Sequence, residues 1–265
     1  MTAGELDLEY LPGLTVPNAT ELFEEWARRS AEVRAAIPPT ELAYGRGAHE
    51  AMDVFSPAAG AVRATVLFIH GGYWRAFYKD HFSYLAPALV AAGLRLAVVS
   101  YDLAPSVHVT DIVGQVRRAV LHLSRRFAEP LVITGHSAGG HLAAVVHSTD
   151  WATLGADRPR VAAAVGISGL YDLEPLTRTS LQPVVDLTPL EVSALSPVRR
   201  RPTTDAPFLV ALGALESPAF HAQSRELVAA WPGVAMGPLA VEGCHHFDVC
   251  DELLPLTERA LNVMS

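Results

Sequence analysis

Short apolar runs and longer amphipathic stretches alternate along most of this chain. Runs rich in Val, Ile, Leu and Phe occupy residues 64–69, 94–100, 131–134, 162–167, 208–212 and 237–241, with a weaker one at 52–55. A brief apolar run bounded by turn signals is what a strand buried on both faces requires. Between these runs the apolar positions fall at helical spacing over 81–92, 110–127, 138–147, 217–231 and 250–263. In the second of these helices Ile112, Val116, Ala119, Val120, Leu123 and Phe127 share one side, with Thr110 and Asp111 as caps. Strand and helix in alternation predict an α/β fold, with a mostly parallel central sheet and helices on both faces.

Two regions stand outside that alternation. Residues 20–36 carry Leu22, Phe23, Trp26 and Val33 on one face, acidic residues early and arginines later, and stop at Pro38 and Pro39. Residues 1–45 therefore read as a helical extension ahead of the main domain. The stretch 171–207 is rich in proline and lacks a strand signal, so it reads as a lid-like insertion over the carboxyl edge of the sheet. One domain over residues 1–265 is expected for a chain of this length.

Composition narrows the partner. Half of the residues are hydrophobic, 18% are charged, and the formal net charge is -8, which argues against a nucleic-acid footprint. No stretch approaches the roughly 20 uninterrupted apolar residues of a membrane helix, and the first ten residues are acidic where a signal peptide would be basic. Cys244 and Cys250 are too few for a disulfide framework and fit a reducing compartment. These features predict a soluble cytoplasmic protein that takes a small-molecule substrate. A homo-oligomer is compatible with them.

The chemistry is concentrated at PLVITGHSAGGH, residues 130–141. A serine inside G-x-S-x-G, directly after a buried strand and ahead of a helix, is a nucleophile elbow, and Gly135, Gly139 and Gly140 relieve the collisions of so sharp a turn. A serine hydroxyl needs a base and a group that orients the base, and in this fold they follow in the order Ser, acid, His. Only His245 and His246 lie beyond the final strand. His246 is preferred as base because Phe247 can pin its loop, which leaves His245 as a substrate contact or a solvated side chain. The segment PFLVALGALES runs from a strand into Glu216, the preferred acid, with Asp172 as rival. The segment HGGYW at 70–74 follows the strand ending at Ile69 and can supply oxyanion donors: the N–H groups of Gly72 and Tyr73, joined by that of Ala138. The dense Cys244, His245, His246, Asp248 and Cys250 cluster lacks the second ligand pair of a structural zinc site, so no metal is assigned. The scheme requires no cofactor.

These residues resemble the α/β-hydrolase fold, and within it the kynurenine formamidase (arylformamidase) family. HGGYW and GHSAGGH match that family's motifs, and SGLYDLEPL at 168–176, SPV at 196–198, ESPAFHAQS at 216–224 and HFDV at 246–249 extend the match. Esterases of the hormone-sensitive lipase type would show HGGG where Tyr73 and Trp74 stand. The resemblance implies hydrolysis of N-formyl-L-kynurenine to L-kynurenine and formate, with Ser137, Glu216 and His246 as the triad. Tyr73 and Trp74 can wall off a small acyl pocket, and Tyr73, Trp74 and Tyr171 can stack on an aryl ring. Arg75 and Lys79, near the oxyanion segment, read as surface charges. A broader carboxylesterase or deacylase of the same fold is the alternative.

Overall fold

A computed structural model describes residues 1–263. The chain opens with three helices, α1 (Ala3–Tyr10), α2 (Pro12–Thr15) and α3 (Ala19–Ala36), followed by strands β1 (Thr40–Ala43), β2 (Ala51–Phe55) and β3 (Thr65–Ile69). Alternation then sets in with α4 (Ala86–Ala91), β4 (Arg95–Val99), α5 (Val109–Arg126), β5 (Leu131–His136), α6 (Ala138–His147) and β6 (Val161–Ile167). Two short helices, α7 (Gln182–Val185) and α8 (Pro189–Leu195), precede β7 (Phe208–Gly213), α9 (Pro218–Ala230), β8 (Ala235–Val241) and α10 (Leu253–Asn262).

The eight strands form one sheet in the order β1-β2-β4-β3-β5-β6-β7-β8. β1 and β2 run antiparallel at one edge, and every pairing from β4 to β8 is parallel. Even in the all-buried central strands, side chains alternate between two cores. Leu67, Ile69 and Ile133 pack with Ile112, Val116 and Leu142 on one face, while Val66, Phe68 and Val132 pack with Trp26, Leu89 and Leu256 on the other. This is the α/β-hydrolase arrangement. Strand order reverses between β3 and β5, so the loops leaving them diverge and open a crevice at the carboxyl edge. Ile69 is level with Gly135, His136 with Ile167, and Ile167 with Ala211. The register brings the loops after β3, β5, β6 and β7 to one place.

Several elements are invisible to the apolar pattern. β1 (TELA) is almost wholly exposed and holds its place by pairing with β2. α1 buries only Leu6 and Tyr10, one turn apart, and its start is set by a capping box: Thr2 N donates to Glu5 Oε2 at 2.7 Å and Glu5 N to Thr2 Oγ1 at 3.3 Å. α5 starts at Val109, one residue before the expected boundary, and Asp111 caps it by accepting from His108 N at 3.1 Å. Among the described residues no helix is long and apolar enough to cross a membrane.

Candidate active site

Ser137 sits at the turn between β5 and α6 with φ 56° and ψ -118°, a conformation that side chains rarely adopt. Two glycines make it achievable. A Cβ on Gly135 would drive into the carbonyl oxygen of Gly139, and one on Gly139 into that of Ile69. The second clash shows how closely the start of α6 packs on the end of β3. The turn is held from outside by Ser137 N, which donates to Ile167 O on β6 at 2.8 Å. Strain of this kind, on the order of 1–3 kcal/mol, persists only where the surroundings impose it.

His246 reaches the same place from the loop after β8. Its Nδ1 lies 2.7 Å from Glu216 Oε2, and both side chains are almost completely buried. An ionised carboxylate only accepts, so this hydrogen bond puts the ring proton on Nδ1 and leaves Nε2 as a free base. Glu216 is fixed in turn through its other oxygen, which accepts from Ser168 Oγ at 2.5 Å and from Gly213 N at 2.7 Å. Ser168, at the end of β6 with φ 52°, is a positioning residue that strand patterning does not single out. His136 is another. Its Nε2 donates to His246 O at 2.7 Å, and burial beside His246 holds its imidazole well below the ordinary range and therefore neutral. Asp172 is elsewhere, paired with Arg199 at 3.2 Å.

Gly71 brings the loop after β3 against the elbow: a Cβ there would stand 3.0 Å from Ser137 Cβ and from His136 O. The next residues make a tight turn, closed by Arg75 N donating to Gly72 O at 3.0 Å, with positive φ at Gly72, Tyr73 and Trp74. Three ties hold it. Tyr73 OH donates to Tyr10 O at the end of α1, Ala104 N donates to Trp74 O at 2.8 Å, and the Trp74 ring is packed edge-on to His141. The N–H groups of Gly72, Tyr73 and Ala138 donate to no protein acceptor among the described residues. Unpaired N–H groups on a strained loop beside a serine are what a developing oxyanion needs.

Ser137 and His246 line one cavity of about 420 Å³. Phe23 and Trp26 of α3, with Phe77 and Phe247, make its aromatic walls. Its lining also draws on both regions outside the strand–helix alternation: Leu11 and Leu14 from the amino-terminal segment, Leu181 and Val184 from the α7 segment. The former escape sequence reasoning because their contacts are set by α1 docking on α9 through Ser217 Oγ to Glu9 O, 2.5 Å, and Ala219 N to Glu9 Oε2, 2.9 Å.

Three substrate-contact expectations are corrected. Trp74 is completely buried and outside the cavity, because the turn that exposes Tyr73 directs the indole into the core. Tyr171 is also fully buried, its ring filling the slot left by Gly166 and Gly169, neither of which has room for a Cβ. His245 is absent from the cavity lining, with Nδ1 3.2 Å from Asp248 Oδ1, and lines a small neighbouring cleft that Glu216 and His246 also border. Arg75 is exposed, as its reading as a surface charge expects, and it also lines the cavity. The candidate metal cluster disperses, since Cys250 is buried, His246 turns to Glu216, and His245 turns to Asp248.

Comparison with known proteins identifies relatives of this chain. The BD-FAE family model matches residues 52–230. Kynurenine formamidase from Salmo salar is 31% identical, covering 91% of this chain and 85% of that protein, and the Danio rerio kynurenine formamidase is 31% identical over 96% and 92%. Among solved structures, a protein of Silicibacter sp. TM1040 described as a candidate thioesterase superposes with a TM-score of 0.85 at 33% identity, over 98% of this chain and 99% of that one. By its fold, its motifs and these relatives, the chain belongs to the kynurenine formamidase family and carries its BD-FAE hydrolase domain.

Proposed function

We propose that the protein is a serine hydrolase that cleaves an aryl formamide, with N-formyl-L-kynurenine as the favoured substrate and L-kynurenine and formate as products. One observation carries the reading. A strained Ser137, a His246 held by buried Glu216, and Gly72 and Tyr73 with unpaired backbone N–H groups border one aromatic cavity. Its volume falls within the range of about 300–1,000 Å³ common for small-molecule sites.

In this scheme Ser137 Oγ attacks the formyl carbon while His246 Nε2 takes the hydroxyl proton. The oxyanion that forms is received by the N–H groups of Gly72, Tyr73 and Ala138. Collapse breaks the C–N bond, and the imidazolium delivers its proton to the departing arylamine nitrogen. Water, deprotonated by His246, then releases formate from the formyl-serine ester. Glu216 stays ionised throughout and stabilises the imidazolium. No hydrogen bond joins Ser137 to His246 in this conformation; such contacts commonly tighten only when substrate binds.

The amino-terminal helices and the 171–207 segment together form the lid in this reading, supported by the lining residues that both contribute. The place of action is the cytoplasm, which suits two free cysteines, and the reaction is a step of tryptophan breakdown. The resemblance to a candidate thioesterase keeps a broader esterase or thioesterase as the second reading. Comparing kcat/KM for N-formyl-L-kynurenine with that for a short-chain nitrophenyl ester separates the two. The formamide is expected to be preferred; a strong preference for the ester would favour the second reading.

A further inference from the structure

The cavity that holds Ser137 is electrically lopsided. Its described lining contains one permanently charged side chain, the guanidinium of Arg75, and no aspartate or glutamate. Arg75 is exposed as well as part of this lining, so its guanidinium is accessible to a ligand that enters. Arg75 makes no ion pair among the described residues, whereas nearby Lys79 is held by Glu41 at 2.8 Å and by Asp53 at 2.9 Å.

The position of Arg75 is set by the same turn that presents the candidate oxyanion donors. Its N–H closes on Gly72 O, and the residues between them are locked by the Tyr73 to Tyr10 hydrogen bond and the burial of Trp74. The side chain therefore starts from a fixed point, a few residues from the acyl-binding end. A guanidinium offers a planar fork that matches a carboxylate with two parallel hydrogen bonds. An ammonium group would find no anion among the described residues of this wall.

We propose that Arg75 is the specificity-determining contact for a carboxylate at the far end of the aryl substrate, and that an ammonium group beside that carboxylate is not read. The assignment rests on the aryl-formamide reading and sharpens it. The substrate class becomes N-formyl arylamines bearing a terminal carboxylate, with or without an α-amino group.

The test uses N-formyl-L-kynurenine, its desamino analogue 4-(2-formamidophenyl)-4-oxobutanoate, and the neutral primary amide of that analogue. Wild-type enzyme is expected to treat the first two within about threefold in kcat/KM and to disfavour the neutral amide by about tenfold or more. In Arg75→Gln the acid-to-amide ratio should fall to about one, and Arg75→Lys should keep part of it. An unchanged ratio in Arg75→Gln overturns the assignment, as does a preference of wild type for N-formyl-L-kynurenine over the desamino acid by more than about tenfold. Calorimetric binding of the deformylated product acid and its amide to the Ser137→Ala protein separates this inference from the reading beneath it. If no formamide is hydrolysed but the acid still binds preferentially through Arg75, the formamidase reading falls and the carboxylate site stands. If acid and amide bind alike, the site falls whatever the turnover shows.

Discussion

Glu216 divides its two oxygens between two tasks. Oε2 orients His246, and Oε1 is pinned by Ser168 Oγ and Gly213 N, so the carboxylate cannot rotate away from the imidazole. This predicts a ranking of substitutions. His246→Ala removes the base and should lower kcat by roughly a thousandfold or more. Ser168→Ala leaves the base but frees its orienter, and should cost about tenfold to a hundredfold in kcat/KM. His245→Ala, turned to Asp248, should cost only a fewfold. Steady-state kinetics checks the order, and a larger loss at residue 245 than at 246 would reverse the assignment of the base. The positions of Ser137, Glu216 and His246 were legible because chain order and the elbow glycines constrain them strongly. Trp74 and Tyr171 were misplaced because burial of an aromatic ring depends on its neighbours. Nothing local to YDL at 171–173 reveals that Gly166 and Gly169 leave the slot that Tyr171 fills.

At the scale of elements, the β5–α6 junction and α5 give opposite answers to the same substitution. Gly139→Ala places a methyl group in the carbonyl of Ile69 and must push α6 off β3, so it should cost several kcal/mol and displace Ser137. Gly114→Ala in α5 meets only Arg118 Nη1, at 3.6 Å, in ordinary contact, and should stabilise by about 0.5–1 kcal/mol. Chemical denaturation of the two variants tests both; a benign Gly139→Ala would contradict the close packing of helix on strand. The same contrast explains which elements sequence patterning could see. Strands buried on both faces and helices with a broad apolar side, such as α5, announce themselves. α1 has two buried anchors and β1 is exposed, so their order comes from tertiary partners. The Thr2-x-x-Glu5 capping box was a readable signal for α1.

Across the whole molecule, buried histidines couple stability to pH. Burial pushes His70, His141 and His147 down to about 4. An unfolded histidine titrates near pH 6.5, so between roughly 4 and 6.5 the unfolded chain binds more protons than the folded one. Each group's contribution is then complete above about pH 6.5 and is lost on acidification at about 1.4 kcal/mol per pH unit. The melting temperature should be level near neutrality and fall steeply below about pH 6, with net proton uptake on unfolding. A flat profile down to about pH 5 would show that these imidazoles are not buried and neutral. The most direct test of the central claim is turnover of N-formyl-L-kynurenine by the Ser137→Ala protein, with its melting temperature measured alongside. Loss of kcat by roughly a thousandfold to a millionfold at an unchanged melting temperature is predicted. Near wild-type turnover would contradict an account in which this strained serine, served by His246 and Glu216, carries the chemistry.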